Sequence, residues 1–176
     1  MRVRPLRWWD IADVVTLERD LFPADPWAAE AFWAELAMGE ARIYVVAEAD
    51  DGSLIGYAGL SCPVMARGGD ADVMTLAVAA RAQGHGIGQT LLAALREMAE
   101  LRVAGRLLLE VRADNDAARA LYAAAGFQEV ATRAGYYRVP SPAPGESPQL
   151  VDALVLRLPL HPTDPGSATG PDSVRG

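Results

Sequence analysis

The chain has 176 residues, of which 51% are hydrophobic, and its formal net charge is −7 at pH 7. This length fits one domain with a packed core. The acidic balance argues against a nucleic-acid-binding surface, and it is compatible with a basic peptide substrate or with solubility alone. Cys62 is the only cysteine, which excludes an internal disulfide, and the two histidines are too few and too far apart to favour a metal site.

No apolar stretch approaches the roughly 20 residues that cross a membrane. The first residues, MRVRPLRWWD, lack the apolar run of a secretory signal. The sequence therefore predicts a cytoplasmic protein with neither a metal nor a membrane partner.

The first third of the chain predicts a strand, two helices and a hairpin. Asp10 is expected to cap the first helix, and Asp51-Gly52 gives the hairpin turn. The predicted elements are a strand over residues 2–6, a helix capped at 10 and running through 22, a second helix after Pro26-Trp27 to about 38, and strands near 43–49 and 54–61.

A glycine-rich loop follows a short apolar run in the middle of the chain. Residues 73–78 (VMTLAV) are typical of a strand covered on both faces, and the loop 83–88 (QGHGIG) then opens an amphipathic helix. Glycines at a helix start let unpaired backbone N–H groups face an anion. A tight turn alone would require the same glycines. The loop matches neither a nucleotide triphosphate P-loop nor the GxGxxG dinucleotide pattern.

Residues 106–112 (RLLLEVR) predict a second buried parallel strand, whose side chains alternate between two faces. Glu110 would then lie in a buried strand, where a carboxylate needs a partner or a function. An ion pair with Arg112, two residues along on the same face, and a chemical role explain this glutamate equally well.

Asp114-Asn115-Asp116 starts the next helix, and Asn115 is a good N-cap residue. Tyr122 follows Asn115 by nearly two helical turns, so both lie on one face. Packing alone would also account for this tyrosine. A strand from Phe127 and a final strand near residues 151–158 complete the predicted elements.

The chain resembles the GNAT family of N-acetyltransferases in four segments, TLAV, EVRADN, ALYAAAGF and GYYR. The loop also fits the family pattern Q/R-x-x-G-x-G/A through Gln83, Gly86 and Gly88. The order and spacing of the segments are similar to the family's ribosomal-protein alanine N-acetyltransferase branch. The resemblance is strong over residues 73–138, fainter before them, and returns in DALVL near the end. It implies an α/β fold with a mixed, mostly antiparallel central sheet, a splayed parallel strand pair and flanking helices.

The resemblance also implies that acetyl-CoA is the donor and that no metal is needed. Family loops often carry arginine where this chain has Gly84 and His85, so backbone amides are expected to hold the pyrophosphate. The donor-binding residues implied by the resemblance are Leu76, Ala77, Val78, Gln83, Gly84, His85, Gly86, Ile87, Gly88 and Asn115.

Two side chains match the family's catalytic positions. Glu110 is at the position of the proposed general base, and Tyr122 is at the position of the acid that protonates the departing thiolate. A weak base suits an α-amine, with a pKa of roughly 8, better than a lysine at roughly 10.4. Cys62 has no histidine partner, which disfavours an acyl-cysteine route and favours direct transfer.

The resemblance implies an enzyme that acetylates a protein N-terminus, and its branch implies the N-terminal alanine of a small-subunit ribosomal protein. Corresponding family segments suggest that Phe22, Trp27, Tyr136 and Tyr137 line the peptide entrance, although each could instead pack in the core or a hairpin. A lysine, polyamine or aminoglycoside acceptor and a non-catalytic CoA-binding module are the alternatives. One catalytic domain is predicted over residues 1–160, with a Pro-rich loop at 139–149 and a disordered tail at 161–176.

Overall fold

The computed structural model describes residues 1–63, 68–139 and 148–160. The tail predicted at 161–176 and all but the ends of the loop predicted at 139–149 lie outside the described residues. In the described part, the strands and helices follow the predicted order. They are β1 (Arg2–Pro5), α1 (Ile11–Leu21), α2 (Ala29–Ala37), β2 (Arg42–Glu48), β3 (Leu54–Ser61), β4 (Asp70–Val78), α3 (Ile87–Leu101), β5 (Arg106–Arg112), α4 (Asp116–Ala124), β6 (Gln128–Val139) and β7 (Gln149–Pro159).

The strands form one mixed sheet in the order β1-β2-β3-β4-β5-β7-β6, in which only β4 and β5 are parallel. These two strands pair only from Asp70 opposite Arg106 to Asp72 opposite Leu108. Beyond that point β4 continues against β3, and β5 continues against β7. The predicted splayed parallel pair in a mostly antiparallel sheet is therefore confirmed.

Helices lie on both faces of the sheet. On β3, the side chain of Tyr57 contacts Glu18 of α1, whereas a Cβ added to the adjacent Gly56 would meet Leu91 of α3. Because neighbouring strand residues point to opposite faces, α1 and α3 lie on opposite sides of the sheet. The helical spacing of α3 buries one stripe on that second side: Ile87, Leu91, Leu92, Leu95 and Ala99.

The prediction that β4 and β5 are covered on both faces is wrong. Leu107, Leu109 and Val111 of β5 are buried, but Glu110 between them is exposed. Helix α1 packs against β3 and β4, and α2 packs against β2. The outward face of β5, β7 and β6 is therefore not covered by these two helices, and the strand pattern alternates instead of being apolar throughout.

Asp10 marks the predicted helix boundary but does not cap α1 with its side chain. A 3-10 turn, Trp8–Asp10, precedes the helix. The Asp10 carboxylate accepts hydrogen bonds from the Arg4 guanidinium at 2.7 and 2.9 Å and from the Arg7 backbone N–H at 2.7 Å. It thus ties β1 to the start of α1. Within the described ranges, no helix is both long and apolar enough to span a bilayer.

Candidate active site

A groove of about 600 Å³ opens where β4 and β5 part. Its walls come from the end of β4, the start of α3 and one face of α4. Nine of the ten predicted donor-binding residues line it, namely Leu76, Ala77, Val78, Gln83, Gly84, Gly86, Ile87, Gly88 and Asn115. The tenth, His85, is exposed and is not part of the lining.

The loop that enters α3 presents backbone amides to this groove. Gly86, with φ 78°, is the left-handed residue directly before the helix, and no side chain caps the helix start. The first N–H groups of a helix have no partner within it. They can therefore bind an anion, which the helix dipole also stabilises at this end.

Side chains around the loop hold it in place. Gln83 donates from Nε2 to the Val78 carbonyl at 3.0 Å, and the Nδ1 atom of His85 lies 2.8 Å from the Gln83 carbonyl oxygen. At Gly88, an added Cβ would lie 3.2 Å from Leu121 of α4. The absence of a side chain at Gly88 therefore lets the start of α3 approach α4 closely, which narrows the groove.

The end of β4 forms the strand edge of the groove. In the pairing with β3, Gly59 lies opposite Thr75 and Leu60 lies opposite Val73, so Met74 is an extra residue in β4. Such a bulge bends a strand and redirects its side chains. After the bulge, β4 has no ladder pairing with β5, and its edge from Leu76 to Val78 faces the groove. An extended ligand could pair with this edge as an added strand does.

Asn115 has the capping role that its position predicts. Its Oδ1 atom accepts a hydrogen bond from the Ala118 backbone N–H at 3.1 Å. The same residue lines the groove, so capping fixes its position on the wall. A contact with the pantetheine arm stays a prediction.

Tyr122 packs against Phe127, with 5.7 Å between ring centroids, and also lines the groove. The residue is only 8% exposed, and this burial raises the pKa of its phenol to about 12, with a smaller contribution from Tyr137. A neutral phenol is a hydrogen-bond donor. Tyr122 therefore stays protonated through the physiological pH range and can donate a hydrogen bond to a ligand in the groove.

Glu110 does not line the groove but lies on the outward face of β5. The predicted ion pair with Arg112 is wrong, because Arg112 pairs with Asp114 at 2.6 Å. Glu110 instead accepts a 2.6 Å hydrogen bond from the Nη1 atom of Arg133 on β6. Its side chain is 34% exposed, so an amine can approach it from outside the sheet.

Tyr137 is half-buried on β6. Burial raises the pKa of Tyr137, and the negative charge of Glu110 adds to this effect. Tyr137 in turn adds to the raised pKa of Tyr122. Tyr136 is 47% exposed and meets Tyr137 edge-to-face, with 5.1 Å between ring centroids.

The other two predicted acceptor-side residues differ from each other. Phe22 is 43% exposed and lines the groove, whereas Trp27 packs against Phe32 with 5.6 Å between ring centroids. The Trp27 side chain is therefore part of the packing between α1 and α2. Its backbone N–H lies 3.4 Å from Glu18 Oε2, within hydrogen-bond distance.

Sequence reasoning missed several residues of the site. Ala118 and Leu121 share the face of α4 that carries Asn115 and Tyr122, and helical spacing from Asn115 could have identified them. Arg133 gives no such signal, because its contact with Glu110 depends on the register of three strands. In residues 1–63, 68–139 and 148–160, no group of three or more histidine, cysteine or acidic side chains could hold a metal ion.

This arrangement is that of an acyltransferase that uses a phosphate-bearing thioester. The parallel pair splits, and the groove beside it is lined by the start of α3 and by the buried Tyr122. The model of the Acetyltransferase (GNAT) family matches residues 11–127, and the chain belongs to this family.

Known relatives agree with this assignment. The chain is 44% identical over 124 residues to N-alpha-acetyltransferase RimI of Mycobacterium tuberculosis, covering 70% of this chain and 75% of that protein. It is 34% identical over 135 residues to a putative [ribosomal protein bS18]-alanine N-acetyltransferase of Bacillus subtilis, covering 77% and 85%. The crystal structure of the Escherichia coli ribosomal-protein-alanine N-acetyltransferase superposes with a TM-score of 0.73 at 27% identity, over 96% of this chain and 98% of that one.

Proposed function

We propose that the protein is an N-α-acetyltransferase, which moves an acetyl group from acetyl-CoA to the N-terminal amine of a protein. The observation that carries this proposal is the split between β4 and β5, with the groove beside the free end of β4 and Glu110 on the outward face of β5. The names of the mycobacterial, Bacillus and E. coli relatives support an N-terminal acceptor. They make the N-terminal alanine of a small-subunit ribosomal protein the first candidate.

The groove suits acetyl-CoA in its chemistry and shape. The unpaired amides at the start of α3 would hold the pyrophosphate, and the end of β4 from Leu76 to Val78 would align the pantetheine arm. Once bound, acetyl-CoA supplies an acetyl thioester and a thiolate leaving group. Backbone N–H groups of the same β4 segment would hydrogen-bond the thioester oxygen as negative charge develops on it.

Tyr122 is the proposed acid. Its phenol stays protonated because burial raises its pKa to about 12. It therefore donates a hydrogen bond to the sulfur as the carbon–sulfur bond breaks, and it transfers its proton late, when the charge on sulfur is greatest. The raised pKa makes a fully ionised Tyr122 unfavourable, so the hydrogen bond itself supplies part of the stabilisation.

Glu110 is the proposed base on the other side of the split. It removes a proton from the α-ammonium, directly or through a water, and the free amine then attacks the acyl carbon. The nitrogen loses a second proton to solvent as the amide forms, which balances the proton that Tyr122 gives to the sulfur. One carbon–nitrogen bond forms as one carbon–sulfur bond breaks, and no covalent enzyme intermediate is needed. Phe22, Tyr136 and Tyr137 would contact the peptide. This part of the proposal rests on the exposure of Phe22 and Tyr136 and on the packing of Tyr137 against Tyr136.

The proposal is tested by incubating the protein with acetyl-CoA and a set of acceptors, and following acetylation by intact mass. The set contains a basic peptide that begins with alanine, the same peptide with a blocked N-terminus and one free lysine, and a polyamine. Acetylation of the free N-terminus alone is expected. Acetylation of only the lysine or the polyamine would overturn the N-terminal acceptor, and binding of acetyl-CoA without any transfer would indicate a binding module.

A further inference from the structure

The contact between Glu110 and Arg133 has no evident structural purpose. The two side chains are 34% and 49% exposed, and an exposed ion pair contributes little to stability. To reach Glu110 on β5, Arg133 on β6 has to extend across β7, where its direct partner is Ala153. A long flexible side chain held across an open sheet face suggests a role in the site instead of in the fold.

The local structure of β6 holds the arginine in this position. Arg133 is opposite Ala153, but the next paired residue, Tyr137, is opposite Val151, so β6 bulges between them. The Gly135 backbone N–H in the bulge donates to Asp152 Oδ1 at 2.8 Å. This brings the Tyr136 ring under the guanidinium, whose carbon lies 4.0 Å from the ring centroid. Such stacking restrains an arginine that would otherwise be mobile.

We propose that Arg133 is a positioning residue, whose 2.6 Å hydrogen bond fixes the direction of the Glu110 carboxylate on the outward face of the sheet. This inference rests on the proposed function, in which Glu110 accepts the proton of the acceptor amine. Arg133 acts through Glu110 and does not itself contact the reacting atoms. A carboxylate held in one direction meets the incoming amine in one geometry, which is what a positioned base requires.

Among the described residues, Arg133 is the charged side chain that pairs directly with Glu110. Arg112 on the same strand is engaged by Asp114, and the aligned residues of β7, Ala153 and Val155, are neutral. The remaining neighbours that face this carboxylate are Asp72 on β4 and Tyr137 on β6, with Tyr136 beyond them.

The test is kcat/KM for whichever amine the protein acetylates. Arg133→Gln is expected to lower kcat/KM about fivefold, the scale of one exposed ion pair. Arg133→Lys, which can still donate a hydrogen bond to Glu110, should recover most of the loss.

Arg106→Gln is the matched control, because Arg106 is 48% exposed and pairs with Asp70 at the closed end of the same parallel pair. It should leave kcat/KM unchanged. In addition, Arg133→Gln should cost nothing further in a Glu110→Gln background. No recovery with Arg133→Lys, the same loss in that background, or a result identical to that of Arg106→Gln would overturn the inference.

Failure of the proposed function gives a different result. If Glu110→Gln alone leaves kcat/KM unchanged at every pH, Glu110 is not the base, and both the base assignment and the role of Arg133 are wrong. If the acceptor set shows transfer to lysine instead of the N-terminus, the acceptor assignment fails. The role of Arg133 is then decided by the same variants with the lysine peptide.

Discussion

The two sides of the split sheet are built in different ways. On the groove side, residues 76–89 supply the strand edge, the loop and the start of α3, and one face of α4 completes the wall. On the outward side, Arg133 of β6 donates a hydrogen bond to Glu110 of β5, and the Tyr136 ring packs against Arg133. The groove side depends on backbone geometry, and the outward side depends on side chains brought together by strand register.

This difference explains why members of one fold can share a donor and differ in their acceptors. A site made of backbone amides and a few glycines tolerates changes elsewhere in the chain. A surface made of side chains from several elements changes with any one of them. Substitutions on the two sides should therefore separate donor binding from acceptor use.

The largest effect is expected from Tyr122→Phe, which removes the proposed acid and keeps the ring. The turnover number should fall by on the order of 10²-fold, the lower end of general acid catalysis, while acetyl-CoA affinity changes little. The pKa of Tyr122 is raised to about 12, so the protonated form persists in alkaline solution and Tyr122 should cause no loss of activity below that pH. Normal turnover by this variant in steady-state assays would show that another group protonates the sulfur.

The next effect is on the stability of the corner between β1 and α1, which lies outside both sides of the site. Asp10 is 4% exposed, and its hydrogen bond from Arg4 lowers the pKa of its carboxyl. A lowered pKa contributes stability above the unfolded-state value of about 3.9, and this contribution is lost as the pH falls through the folded-state pKa. Asp10→Asn should therefore lower the free energy of unfolding by roughly 1.5–3 kcal/mol at neutral pH.

Urea denaturation would measure this change, and the difference from the unchanged protein should narrow below about pH 4. The exposed Asp13, in the first turn of α1, provides the control, since Asp13→Asn should have little effect on the free energy of unfolding. A loss that is constant from neutral to acidic pH would show that the charge of Asp10 is not what stabilises this corner.

On the donor side, Gly86→Ala and Gly52→Ala form a matched pair. Both glycines have positive φ, 78° and 85°, but only Gly86 lies in the loop before α3. Both substitutions should cost about 1 kcal/mol of stability. Only Gly86→Ala should weaken acetyl-CoA binding, by about tenfold in calorimetry. Equal acetyl-CoA affinity in the two variants would remove the loop from the donor site.

The smallest effect is expected from Phe22→Ala on the acceptor. The KM for the peptide should rise about fivefold, equivalent to about 1 kcal/mol, while the KM for acetyl-CoA changes less. Trp33 on α2 is exposed to a similar degree, 48% against 43%, and does not line the groove. Trp33→Ala is thus the control, and an equal rise in both variants would mean that Phe22 has no special place in acceptor binding.

Local patterns predicted the groove side well. The glycine loop, the cap at Asn115 and the helical spacing to Tyr122 are each contained within a few residues, and the structure brings them into one groove. Even here, the bulge at Met74 was not predicted, because it appears only in the register between β3 and β4.

The outward side could not be predicted in the same way. The partner of Glu110 is not its neighbour Arg112 but Arg133, twenty-three residues later, and this depends on β7 lying between β5 and β6. Likewise, the Asp10 carboxylate bonds Arg4 because β1 runs beside the start of α1. Side-chain contacts of this kind follow from tertiary packing, which overrides local propensity.

The most direct test of the account is a crystal structure with a peptide–CoA conjugate, in which the alanine nitrogen of the peptide is joined to CoA through an acetyl bridge. We predict that the pyrophosphate contacts the amides at Gly84–Gly88 and that the bridge passes between β4 and β5 beside Tyr122. The peptide would then lie on the face that carries Glu110 and Tyr137. A peptide that leaves the groove on the α3 side, without crossing the split, would contradict it.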